Sequence, residues 1–282
     1  MVWKIPSHWQ PRLLLDVALS VDTSTGATEV NTDAGRAFIK PMGNRQGPHV
    51  LATDWVGTHL ANWFGLSTFE IAILRLTDGD VFPLPRNHRS QPGPAFAAKF
   101  LEGEAWGQSG KHLGKVVNLH DISRLVVFDT WTLNCDRYHY DLKVRKPNPD
   151  NIYLASEGVP RGKQSMIAMD HGLCFICSGE DLSPKLSNLN KVRDTNIYGL
   201  FPEFRRRLRQ DIIEMSLARL NELDVSTVEE IVNSVPKEWD VSQGARSAWI
   251  ELICRRADFV ADSFEQSLEK ICPWFDASGD HS

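Results

Sequence analysis

Apolar positions come in short bursts over the first hundred residues and in helix-length trains after residue 200. Leu13–Val21 and Ala37–Ile39 are apolar runs bounded by polar turn formers, as strands require. The segment 22–28 between them reads as a turn-rich loop. Phe69–Leu76 and Phe96–Leu101 are two further strand candidates, and the Pro-, Arg- and Asn-rich stretch Pro83–Pro94 reads as an exposed loop. Trp55, Val56, Leu60, Trp63 and Phe64 recur at helical spacing, which predicts a helix over Asp54–Gly65 with Thr53 as N-cap and Gly65 as its stop. Beyond about residue 105 the pattern predicts a helix over Asp121–Leu133, short strands over Ile152–Leu154 and Met166–Met169, and helices over Ile212–Leu223, Val228–Val232 and Ala248–Ile271. The expected fold class is α+β in two lobes. A β-rich lobe spans 1–105, a larger helical lobe spans 106–282, and the cleft between them is the natural ligand site.

Composition narrows the class. The 282 residues are roughly twice the ~150 of a common single domain, in keeping with two lobes. With 31 Lys and Arg against 36 Asp and Glu the net charge is −5, which argues against a surface built to coat nucleic acid. No apolar run approaches the ~20 residues that span a bilayer, and Asp16 interrupts the N-terminal leucines, so no membrane partner and a cytoplasmic location are expected. The five cysteines are an odd number without a secretory leader, so no disulfide framework is expected. Cys174 and Cys177 form a C-x-x-C, but no second metal-ligand pair accompanies it and its surroundings are apolar. They read as buried core thiols.

Three polar islands stand in apolar surroundings: Lys40, the run from Asn134 to Asp141, and Asp170-His171-Gly172. In chain order they supply a lysine at a strand end, an acid on a loop after a helix, and an acid just after a strand. Phosphoryl transfer from a nucleotide uses such a set. The lysine neutralises non-transferred phosphates, one carboxylate holds Mg²⁺, and another orients the attacking hydroxyl and accepts its proton. Asp54 lies where a helix carboxylate would pair with the lysine. His139 and His171 read as structural, Arg137 as a brace for the Asp136 loop, and Arg205–Arg207 as a solvated basic face.

Phe38-Ile39-Lys40-Pro41, Leu51-Ala-Thr-Asp54 running into Leu60-Ala-Asn-Trp-Phe-Gly65-Leu66, Asn134-Cys-Asp136-Arg137-Tyr-His139, Met169-Asp170-His171-Gly172 and Val235-Pro236-Lys-Glu-Trp239 follow one another from about Leu19 to Phe264. In this order they resemble the HipA-like kinases, which share a catalytic pattern with the phosphoinositide kinases. The resemblance implies a two-lobed protein-kinase-like fold that binds ATP with Mg²⁺, or Mn²⁺, and transfers the γ-phosphate to a hydroxyl, most plainly Ser or Thr of a protein. By the same resemblance Lys40 contacts the phosphates, Asp54 holds Lys40, Asp136 is the catalytic carboxylate and Asp170 binds the metal. The loop containing Ser24, Thr25 and Gly26 would cover the phosphates with backbone N–H groups, and Phe100 and Leu101 would form the hinge beside the adenine. A separate regulatory partner is also compatible with the family.

Two departures stand out. The family's usual Glu is Asp54 here, one methylene shorter, so the lysine pair requires a closer helix. The family's usual Asn, five residues after the catalytic acid, is Asp141 here. A carboxylate is a good hard ligand for Mg²⁺, so Asp141 is expected to bind the metal together with Asp170. The insertion 142–150 also offers Asn148 and Asn151 as amide substitutes. A nucleotide- or partner-binding pseudokinase, and a kinase for a small molecule or lipid, stay open as alternatives.

Overall fold

The computed structural model describes residues 3–6, 8–20, 27–108, 110–177 and 179–273. Strands β1 (Leu14–Ser20), β2 (Thr28–Thr32) and β3 (Gly35–Lys40) precede helix α1 (His49–Phe64), and β4 (Ile71–Leu76), the two-residue β5 (Pro83–Leu84) and β6 (His88–Arg89), and β7 (Gly93–Lys99) follow it. Five of these strands form one antiparallel sheet in the order β1-β2-β3-β7-β4. Alternate residues Ala37 and Ile39 of β3 and Ala95 and Ala97 of β7 are buried beneath it with Val30 and Leu74, as a half-buried sheet requires. β2 had no apolar signature because its inward positions are Thr28, Val30 and Thr32, two of them hydroxyl residues. The stretch Pro83–Pro94 is not simply an exposed loop. It folds into the β5–β6 hairpin, with Leu84 and Ser90 buried and Ser90 bonded to both the N–H and the carbonyl of Phe82.

Helix α1 begins five residues earlier than its periodicity predicts, after Pro48 rather than Thr53. Thr53 does not cap it. Its hydroxyl donates to the Gly172 carbonyl at 2.5 Å, a tertiary bond that the sequence could not reveal. The helix ends at Gly65 in the left-handed conformation (φ 88°), which glycine adopts without steric cost.

The chain leaves the large sheet at Lys99 and crosses at Phe100–Glu102 into a second sheet. There β8 (Gly103–Ala105) pairs with β9 (Ile152–Ala155), which pairs with β10 (Ser165–Ala168), all antiparallel. The helical part comprises α2 (Gly110–Leu113), α3 (Asp121–Trp131), α4 (Leu189–Val192), α5 (Gln210–Asn221), α6 (Val225–Asn233) and α7 (Gln243–Ile271). The basic run Arg205–Arg207 is a single 3₁₀ turn ahead of α5. Buried Arg256 of α7 donates to the carbonyls of Thr130, Trp131 and Asp194, and the Trp131 indole N–H donates to the Ile253 carbonyl at 3.0 Å. These bonds tie α7 to the end of α3.

One hydrophobic core runs from α1 through α3 to α7. On its outer face α1 is held by Trp55 donating to Ser234 Oγ at 2.8 Å and by Arg219 donating to the Trp63 carbonyl at 3.1 Å. The helix is thus anchored in the helical region and carries Asp54 to the junction with the sheet. Among the described residues, no helix is long and apolar enough to cross a membrane.

The cysteine expectation needs correction. Cys135 and Cys177 form a disulfide, with Cα atoms 5.6 Å apart, whereas Cys174 is a free, fully buried thiol. The Phe175 N–H bonds the Thr132 carbonyl at 2.8 Å, which lays the two segments side by side and brings two cysteines 42 residues apart into contact.

Candidate active site

Lys40 ends β3 with its ammonium between two carboxylates, donating to Asp54 Oδ2 at 2.6 Å and to Asp170 Oδ1 at 2.9 Å. Asp54 is buried, and its second oxygen accepts the His171 N–H at 2.9 Å. One side chain on α1 therefore fixes both the lysine and the backbone of the Asp170-His171-Gly172 turn. Asp170 has φ 55°, a left-handed conformation that aspartate tolerates better than most residues.

Charge and burial compete inside this cluster. Burial works against the Lys40 cation, yet the two carboxylates outweigh it and hold the ammonium above the usual lysine range. Burial pushes Asp54 up against the pull of Lys40, with the Asp170 charge adding to the rise. Asp170 is 34% exposed at its side chain and is lowered, because Lys40 outweighs what burial costs it.

The loop after α3 carries Asp136. Its Oδ2 accepts from Asn151 Nδ2 at 2.8 Å and its Oδ1 from Arg145 Nη1 at 2.5 Å. Arg137 is wholly buried and paired with the equally buried Asp129 of α3, which also accepts from Asn134 Nδ2 at 3.0 Å. Its other donors reach the carbonyls of Asn151 (3.2 Å) and Met169 (2.9 Å). Arg137 thereby ties the Asp136 loop to the residue before β9 and to the residue before Asp170.

The match to the family model for HipA-like kinases covers residues 30–269. The chain belongs to the HipA-like kinase family. Helicobacter pylori CtkA, described as a proinflammatory kinase, shares its fold with a TM-score of 0.59 at 12% identity, over 92% of this chain and 98% of that one. The Mycobacterium tuberculosis PknI kinase domain, in a double-mutant form, covers 93% and is covered to 99% at 14% identity, with a TM-score of 0.31. None of the curated proteins searched matches. The two-lobed, protein-kinase-like α+β architecture follows from both matches, and membership of the family brings a kinase-type phosphotransfer activity with the nucleotide and divalent metal that such kinases use.

In this HipA-like kinase the expected site residues fall in different places. Lys40, Asp54 and Asp170 meet directly. Phe100 stands at the sheet crossing, its N–H on the Arg36 carbonyl at 3.0 Å and its ring against Phe38 and the Arg36 guanidinium. The Leu101 carbonyl accepts from the Tyr153 hydroxyl at 2.8 Å. Ser24, Thr25 and Gly26 lie outside the described residues. Asp141 is turned to a local task. Its Oδ1 accepts the Lys143 N–H at 2.9 Å and its carbonyl accepts from Val144 and Arg145, so it opens the turn of the inserted segment. Asn151 stands beside Asp136 instead, and its carbonyl accepts the Met169 N–H at 3.3 Å.

The donor set suits Mg²⁺. Among the described residues no three His, Cys, Asp or Glu side chains cluster to cage a metal unaided. Mg²⁺ commonly takes one or two protein oxygens and completes its shell with substrate phosphates and water. Asp170 supplies one such oxygen; the Asn151 amide oxygen, which accepts from Asn148 Nδ2 at 3.0 Å, would supply a second on exchanging that partner, and phosphates neutralised by Lys40 would supply the rest.

The residue pattern alone did not reveal the roles of Thr53, Asp129, Arg145 or Gly57 of α1, whose missing side chain lets the helix approach His171. Asp129 had a readable signal, a lone acid on an otherwise apolar stretch of helix, which needs a buried cation. Thr53, Gly57 and Arg145 had none.

Proposed function

We propose that the protein transfers the γ-phosphoryl group of ATP to a Ser or Thr hydroxyl of a protein. Asp136 orients that hydroxyl and takes its proton, Lys40 neutralises the non-transferred phosphates, and Asp170 with Asn151 holds Mg²⁺. The carrying observation is the arrangement in which Lys40 bridges Asp54 and Asp170 while Asp136 is pinned by Asn151 on the adjoining loop. A polypeptide acceptor is supported by the surface beside Asp136, where Tyr140, Leu142 and Val144 are 50%, 51% and 69% exposed. Exposed apolar side chains on the segment that carries Arg145 suit contact with an extended chain, whereas a small metabolite needs enclosure. Asn151 is given the metal role expected of Asp141 because its side chain bonds Asp136 and its carbonyl accepts the N–H of Met169, the residue before Asp170, while Asp141 Oδ1 accepts the Lys143 N–H of its own turn.

The test is transfer from radiolabelled ATP–Mg²⁺ by the pure protein, alone and with a cell lysate. The expected product is acid-stable label on a protein band, absent with Asp136→Asn. Label only on a small molecule would discard the protein acceptor. No Asp136-dependent label anywhere would discard the phosphotransfer role of Asp136.

A further inference from the structure

Arg145 belongs to the segment 142–150 that follows Asp136, and nothing in the phosphotransfer reading uses it. The segment is closed at its base by the Asn148 N–H on the Arg137 carbonyl (2.9 Å), and its tip is turned by the Val144 and Arg145 N–H groups on the Asp141 carbonyl. That frame sends the Arg145 guanidinium back onto Asp136. The side chain stays 30% exposed, and of its five N–H donors only one at Nη1 has a partner among the described residues.

The other cations of the site are differently committed. Arg137 is wholly buried against Asp129 and two carbonyls, and Lys40 is shared between two carboxylates. Arg145, partly exposed beside Asp136, keeps donors without a partner among the described residues.

We infer that Arg145 is a catalytic residue that holds Asp136 with one N–H and binds the transferring phosphoryl group with the others. The inference rests on the phosphotransfer role proposed for Asp136. A hydroxyl bonded to Asp136 sits ~2.7 Å from a carboxylate oxygen, and the phosphorus it attacks lies within a further ~3 Å. A guanidinium already bonded to that carboxylate is therefore within reach of the phosphoryl oxygens. In the step itself the hydroxyl oxygen forms the new O–P bond and its proton passes to Asp136. The bond from the γ-phosphorus to the β–γ bridging oxygen breaks, with its electron pair leaving on ADP. Charge spreads over three equatorial oxygens as this happens, and a planar cation with several donors stabilises that arrangement more than the ground state.

The experiment compares binding of ADP–Mg²⁺ with and without aluminium fluoride, a mimic of the transferring group, by calorimetry in wild type, Arg145→Gln and Arg145→Lys. ATP–Mg²⁺ binding to wild type is measured first, and its absence would mean that the nucleotide reading itself has failed. In wild type the fluoride adduct should bind at least ~10-fold tighter than ADP alone. Arg145→Gln should abolish that gain and leave ADP and ATP affinity within about twofold, with Arg145→Lys recovering part of it. A structural role in the loop would lower all affinities together, or the melting temperature alone. An undiminished gain in Arg145→Gln, no gain in wild type, or a parallel loss of ADP affinity each overturns the inference.

Discussion

Gly57 of α1 lies so close to His171 that a Cβ built on the glycine would sit 2.5 Å from the histidine Cβ. This approach lets the short Asp54 carboxylate reach both Lys40 and the His171 N–H. A glutamate on a more distant helix would span the same gap with its extra methylene, so the shorter acid and the missing side chain compensate each other.

Gly57→Ala should therefore destabilise the protein despite the better helix former. Alanine gains about 1 kcal/mol in helix propensity, but overpacking at 2.5 Å costs roughly 1–3 kcal/mol in a close-packed core. Urea denaturation should show a net loss of up to about 2 kcal/mol, and ATP–Mg²⁺ should raise the melting temperature less than in wild type. A stabilised variant with full nucleotide response would contradict the tight approach.

Lys40→Met removes the cation shared by Asp54 and Asp170 and leaves Asp54 buried without a counter-charge. The expected cost is about 3 kcal/mol, the low end for breaking a buried ion pair because Asp170 is partly open to water. Asp54, already raised by burial, then binds its proton more readily when folded than when unfolded. Stability of the variant relative to wild type should therefore recover as pH falls from 7 to 5. Denaturation curves at both pH values check this, and a deficit independent of pH would point to lost packing alone.

Asn151→Ala should raise the Mg²⁺ concentration needed for ATP-induced stabilisation by roughly tenfold, about 1.4 kcal/mol of lost ligation. Asp141→Asn should leave it unchanged, since an amide oxygen still accepts the Lys143 N–H. Thermal-shift titrations of metal at fixed ATP distinguish the two positions. A shift produced by Asp141→Asn alone would return the metal to Asp141.

Stability should fall in mild acid. His59 is buried against Trp55, and burial lowers its pKa to about 4; His171 is lowered well below the ordinary value by burial, with the Arg137 charge adding to it. Between about pH 6.5 and pH 4 the unfolded chain holds a proton on each that the folded chain does not. Stability is thus fully present above the unfolded value and is lost as pH drops, by up to about 1.4 kcal/mol per pH unit for each histidine. His59→Leu should reduce the slope by about one proton, read from denaturation between pH 4.5 and 6.5. An unchanged slope would mean that His59 takes up its proton in the folded state.

Periodicity and local chemistry carried much of this protein. The long helices after residue 200, the strands around Lys40 and Phe96, the glycine stop at Gly65 and the order lysine, Asp136, Asp170 were legible because each depends on residues near one another in the chain. What depended on distant partners was not legible. Thr53 looked like a helix cap until Gly172, 119 residues away, claimed its hydroxyl. On paper Asp141 was the expected ligand, with Asn148 and Asn151 as substitutes. Only the folded loop committed Asp141 to a turn and set Asn151 against Asp136, since a side chain's task is decided by which donors the backbone brings within ~3 Å of it. The Cys135–Cys177 disulfide and the Arg145–Asp136 pair arose in the same way, from packing that joins segments whose sequences carry no sign of each other.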